Sequence, residues 1–146
     1  MKAITIIQPW ATLISLGEKK FETRSWPTKH RGLIAIHAGK KVNKEVCKEE
    51  PFHSVLAKHG YTADNLPTGM ILATCKLNDC WMVGNTQGNS AIVESGSCKR
   101  AVTGNDYSFG WYDRGRYAWE LADIKMIYDP VPAKGQQGLW NWDGRH

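Results

Sequence analysis

IQPWATLISLGEKKFETRSW, residues 7–26, joins two opposite local patterns within one short run. Pro9 suits a first helical turn, and Trp10, Leu13, Ile14 and Gly17 fall at i, i+3, i+4 and i+7, the stripe of a short amphipathic helix that Gly17 closes. The period then changes. KFETRSW reads as extended chain, and alternation places Lys20, Glu22, Arg24 and Trp26 on one face with Phe21, Thr23 and Ser25 on the other. Lys19, Lys20, Glu22 and Arg24 thus crowd around the helix-to-strand junction. The cluster reads either as exposed ion pairs on a strand edge, which contribute little, or as the floor of a site for something anionic and flat.

Working outward, AITII (3–7) precedes the helix as a β-rich strand, and GLIAIHAG (32–39) follows as an apolar strand between glycines, with His37 near its end. Residues 42–60 look helical, broken near Pro51 and ended by Gly60. GMILATCKL (69–77) is a strand that can extend through Trp81–Val83. Residues 84–116 are rich in Gly, Asn and Ser with little periodicity, which marks a long variable loop insertion able to hold a short hairpin. RYAWELADIKMIY (116–128) returns to strand character, and DPVPAKGQQGLWNW (129–142) turns into a last aromatic strand. Many short strands with few helices predict an α+β fold, a small β-barrel decorated by helices, with residues 1–146 as one domain.

Composition narrows the classes. The chain has 146 residues, 42% hydrophobic and 23% charged, ordinary for a globular protein. No apolar run approaches the roughly 20 residues of a membrane span, and MKAITIIQPW lacks the features of a signal peptide. Four cysteines without a CxxC pair read as reduced thiols in a cytoplasmic protein. Phosphate-loop, dinucleotide, GxSxG, HExxH and zinc-deaminase motifs are missing, and Cys47, His53 and His59 match no ligand spacing, so neither metal nor cofactor is expected. A net charge of +5 suits a polyanionic partner, and seven tryptophans offer stacking surfaces as well as core.

The charged junction can work in two ways. Glu22 can hold Lys19 and Arg24 in place while a cation faces a phosphate or carbonyl oxygen, or Glu22 itself can act as a general base polarised by Lys19. Lys20 is the exposed neighbour that could take Lys19's place.

IQPWATLISLGEKKFETRSW followed by GLIAIHAGK resembles the N-terminal half of an ASCH domain, a PUA-like family. The shared pattern is Q-P-W/Y-A, then G-x-K-x-x-E-x-R, then a strand ending in His. YAWELADIKMIYDPVPAKGQQGLWNW resembles the closing strands of small stand-alone ASCH proteins of bacterial and phage type. The likeness covers residues 3–83 and 117–142 and leaves out 84–116. It implies a curved barrel with helices at its rim and a basic cleft beside the first helix. Lys19, Glu22 and Arg24 come over from the core motif, Gln8, Trp10 and Trp26 from its flanks, and His37 from the next strand. Relatives bind RNA or modified nucleosides. One subgroup resembles N4-acetylcytidine amidohydrolases with a threonine where this chain has Glu22, and others resemble ribonucleases.

The resulting expectation is a protein that binds RNA or a nucleotide-like ligand, with Gln8, Trp10, Lys19, Lys20, Arg24, Trp26, His37, Lys134 and Gln137 as candidate contacts. Trp10 at helical spacing and His37 beside Leu33 and Ala35 also read as core residues. The glycines around Gln137 permit close approach of a ligand or a plain turn. CKR (98–100) and WYDRGR (111–116) interleave cations with aromatics, as a single strand of nucleic acid would require. The alternatives are a ribonuclease or modified-nucleoside hydrolase using Lys19 and Glu22, and a protein-interaction module with a vestigial cleft.

Overall fold

The structure is a computed structural model that describes residues 1–144. Chain order is β1 (Lys2–Gln8), α1 (Trp10–Ser15), β2 (Phe21–Arg24), β3 (Gly32–Val42), a 3-10 turn (Val46–Lys48), α2 (Phe52–Lys58), β4 (Met70–Gln87), β5 (Ser90–Ser95), β6 (Cys98–Val102), α3 (Gly104–Ser108), β7 (Tyr117–Pro132) and β8 (Leu139–Asn141). It is a mixed α+β architecture with an eight-stranded sheet and short helices.

The expected barrel is corrected to an open sheet. The strands run β2-β7-β4-β3-β1-β8, with the β5–β6 hairpin branching from β4, so β2 and β8 are ends rather than neighbours. The two end strands are four and three residues long, too short to zip a seam. β8 covers only Lys2 to Ile4 of β1. Thr5, one residue past that ladder, gives its carbonyl to Arg24 Nη2 at 3.0 Å instead, so a side chain from β2 bridges the gap where a backbone ladder would close a barrel.

β3 is buried on both faces, and its period of two divides them. Ile34, Ile36 and Ala38 join Ile4, Ile6, Ile14, Leu72 and Trp119 in the main core beneath α1. Ala35 packs on the opposite face with Ala3, Ile71, Trp140 and Trp142. A third cluster links Leu13 of α1 to Phe52 and Leu56 of α2 and to Phe109.

Residues 84–116, read from sequence as a loop region able to hold a short hairpin, contain a hairpin and a short helix. β4 continues to Gln87, and β5 and β6 pair antiparallel from Ala91↔Val102 to Ser95↔Cys98. Ala91, Val93 and Val102 are buried with Phe21, Trp81 and Tyr112 in a cluster of their own. Between 42 and 60, the helical segment expected to break near Pro51 is a 3-10 turn before that proline and the short α2 after it. No helix among the described residues is long and apolar enough to cross a membrane. None of their His, Cys, Asp and Glu side chains forms a group that could hold a metal ion.

Candidate functional site

The end of α1 sets the site. Gly17, at φ +76, takes the left-handed conformation that lets the chain reverse, with Gly17 N–H donating to Ile14 O and Glu18 N–H to Leu13 O, a Schellman closure. Lys19 N–H also reaches Leu13 O, at 3.1 Å, which draws Lys19 beneath the helix end before β2 begins. Its side chain is 1% exposed. Lys19 Nζ donates to Phe21 O and to Glu22 Oε1, the latter at 3.2 Å. Burial pushes the Lys19 ammonium below the ordinary lysine value, with the Glu22 charge pulling the other way.

Glu22 and Arg24 share a face of β2, as alternation requires. Arg24 Nε donates to Glu22 Oε2 at 2.9 Å, and Nη2, also 2.9 Å from that oxygen, donates to Thr5 O. The carboxylate therefore receives one cation on each oxygen. Both protons of Arg24 Nη1 lack an acceptor among the described residues, and a quarter of the Arg24 side chain (25%) is exposed.

These groups line a cleft of about 710 Å³ between β1, α1, β2 and the 108–116 segment. Its walls are aromatic. Trp10 meets Phe52 edge to face at 5.9 Å, and Trp26 meets Trp119 likewise at 4.8 Å. Across from them Trp111 is 59% exposed, with the Arg116 guanidinium 4.0 Å above its ring centre. Arg116 is itself held by Trp111 O and Thr23 O, and Trp111 N–H donates to Thr23 Oγ1 at 2.9 Å. Glu49 and Glu50 complete the rim on the side of α2.

Of the residues singled out from sequence, Trp10, Lys19, Glu22, Arg24 and Trp26 meet at this cleft, with Trp111 and Arg116 of the WYDRGR run, whereas Gln8, Lys20, His37, Lys134 and Gln137 do not. Gln8 is fully buried. Its amide donates to Thr12 Oγ1 and Pro67 O and accepts from Thr12 N–H, which anchors α1. His37 points to the opposite face of the sheet. Trp140 Nε1–H donates to Thr5 Oγ1, Thr5 Oγ1 lies 3.1 Å from His37 Nδ1, and His37 Nε2 lies 2.7 Å from Ala133 O. A carbonyl can only accept, so the proton sits on Nε2 and Nδ1 accepts from Thr5. Both ring nitrogens are satisfied.

Lys20 faces a separate depression of about 500 Å³ with Arg100, Asp106 and Glu120. Lys134 and Gln137 are exposed, outside the lining of either hollow. The close approach allowed by a glycine in that segment is to the protein itself, since a Cβ on Gly135 would fall 2.6 Å from Thr5 Oγ1. Trp111 and Arg116 stand at the cleft although their sequence context, WYDRGR, also fits a solvated loop. Thr5, Glu49, Glu50 and Phe52 carried no signal that would have placed them there.

The ASCH domain family model matches residues 4–131. This chain belongs to the ASCH family. Among curated proteins, human activating signal cointegrator 1 is similar at 36% identity over 80 residues, 53% of this chain and 14% of the relative. The mouse protein of the same name is also 36% identical over 80 residues, with the same coverage. The aligned stretch is thus a small part of each relative. Membership in the ASCH family points to RNA binding in general terms.

Proposed function

We propose that the cleft binds single-stranded RNA or a nucleotide-like ligand, with a base held between aromatic walls and a phosphate against Arg24 and Arg116. The observation that carries this reading is the open Nη1 of Arg24 beside Trp10, Trp26 and Trp111 in a cleft of about 710 Å³. A hollow of this size suits one small ligand, such as a single nucleotide. Aromatic faces accept bases without regard to sequence, and a guanidinium donates in a fork that matches a phosphate.

Lys19 takes a different part from the one the sequence suggested. With its side chain at 1% exposure and its ammonium on Phe21 O and Glu22, it holds the carboxylate and does not reach a phosphate. The anion contacts fall to Arg24 and Arg116.

The test is binding of a labelled single-stranded RNA octamer across a range of salt concentrations. Affinity is expected to be weak and to fall as salt rises. Arg24→Ala and Arg116→Ala should each weaken it and flatten the logarithmic salt slope by about 0.7, one phosphate contact on a single strand. An affinity indifferent to both substitutions would remove this reading.

A further inference from the structure

We propose that Glu22 makes the cleft a reader of the exocyclic amine on a nucleobase, favouring cytosine over uracil. The inference rests on the reading that the cleft holds a base and names what that base must present.

A carboxylate only accepts hydrogen bonds, and its two oxygens offer about four lone-pair positions. Lys19 occupies one on Oε1, and Arg24 Nε and Nη2 both lie 2.9 Å from Oε2. The second position on Oε1 has no donor among the described side chains, and the Glu22 side chain, 10% exposed, lines the cleft. Because a cation holds each oxygen, the group cannot swing aside to make room for an unsuitable neighbour. A ligand atom that meets it must therefore be an N–H or O–H donor, since a carbonyl oxygen would face a fixed negative charge at low exposure.

Charge balance argues for recognition by edge as well as by phosphate. The cleft lining carries Lys19, Arg24 and Arg116 against Glu22, Glu49 and Glu50, three of each sign. Such a lining attracts a polyanion only modestly, and the acidic rim beside α2 repels phosphate. What it retains is flat aromatic surface with an acceptor and a donor on neighbouring side chains of β2. Cytosine, adenine and guanine each carry an amine donor near an acceptor on the same edge. Uracil has a single N–H flanked by two carbonyls, so a carboxylate that takes that proton faces repulsion on both sides. Cytosine against uracil is the decisive pair, because the two rings match in size and differ at the amine.

Three labelled octamers separate the outcomes on the wild-type chain: oligo-cytidine, oligo-uridine, and an oligomer of N4,N4-dimethylcytidine. They carry the same phosphates, so the salt-dependent contribution cancels. Oligo-cytidine is expected to bind about tenfold tighter than oligo-uridine, in the range of one good polar edge contact. The dimethyl oligomer, which keeps the ring and loses both N–H donors, is expected to bind no better than oligo-uridine. In Glu22→Gln the cytosine preference should shrink to within about threefold, because a carboxamide can also donate. The dimethyl comparison needs no variant and holds even if that substitution unfolds the chain. Equal binding of the three oligomers overturns the amine-reading role while RNA binding stands. Absence of binding to all of them at low salt overturns both.

Discussion

Thr5 belongs to two polar assemblies on opposite faces of one sheet, and they differ in kind. Its carbonyl accepts from Arg24 in the cleft, where Lys19, Glu22 and Arg24 are charged. Its hydroxyl lies between Trp140 and His37, where every group is neutral. On the His37 side each donor has an acceptor, and Gly135 presses close enough to exclude a ligand. On the cleft side Arg24 Nη1 and part of the Glu22 carboxylate remain open, and solvent reaches them. Buried polar groups with complete partners hold a fold together; those with open valences facing a hollow can act on something else.

The largest test of this difference removes Glu22. Lys19 would be left buried with one carbonyl as its partner, and Glu22→Ala is expected to lower unfolding free energy by about 3–5 kcal/mol. The double variant Lys19→Met, Glu22→Leu should recover most of that loss, since a buried pair is often replaceable by apolar groups of similar volume. Denaturant midpoints measure both. A loss smaller than that of the His37 variant below would show that the triad is not the more highly charged, more interdependent assembly.

The next expected effect is on the neutral side. His37→Phe leaves Ala133 O and the Thr5 hydroxyl without the imidazole and is expected to cost about 1–3 kcal/mol. It should leave RNA affinity unchanged. Burial, partly opposed by the Ala133 carbonyl, lowers the His37 pKa from 6.5. Between that lowered value and 6.5 the unfolded chain binds the proton more readily than the folded one. The contribution is therefore complete above pH 6.5 and is lost as pH falls through the folded value. Melting temperatures of wild type and His37→Phe should converge as pH drops from 7 towards 5. Constant separation across that range would mean that the imidazole is not held neutral.

How much of this was readable from residues alone follows from how local each feature is. The α1 stripe and its Gly17 stop depend on neighbours within one turn, and the spacing of Trp10, Leu13 and Ile14 states them. The proximity of Glu22 to Arg24 follows from alternation over three residues. Lys19 is another matter. A lysine in a charged run reads either as part of an exposed ion pair or as a cation of a site, and only the tertiary position of the α1 end buries it. The open sheet was hidden for a similar reason, because strand closure depends on how far β8 extends along β1. In 84–116 the alternation of Ala91, Ile92 and Val93 was present but short, between turn residues. Trp111 and Arg116 stack on each other and are held by the Thr23 hydroxyl and carbonyl, far away in sequence, which no local pattern reports.

The smallest expected effect concerns a group that fits neither side of the comparison. The Tyr112 hydroxyl is buried and has no hydrogen-bond partner among the described residues. Burial, with the carboxylates of Asp106 and Glu22 adding to it, raises the phenol pKa well above its ordinary value, so the group stays a neutral donor. Its ring is satisfied by packing, stacked on Tyr107 at 5.5 Å within the cluster of Phe21, Trp81 and Val93. An open valence with no route to solvent is a cost to the fold and not a site, because desolvation is incurred and no bond offsets it. Tyr112→Phe keeps the ring and removes only the hydroxyl. It should leave RNA affinity within twofold and change stability by no more than about 1 kcal/mol, in the stabilising direction. A clear loss of stability would mean that the hydroxyl contributes a bond to the fold. A selective loss of RNA binding would instead assign Tyr112 to the cleft, and the distinction drawn here between open valences that face a hollow and those that do not would fail at that residue.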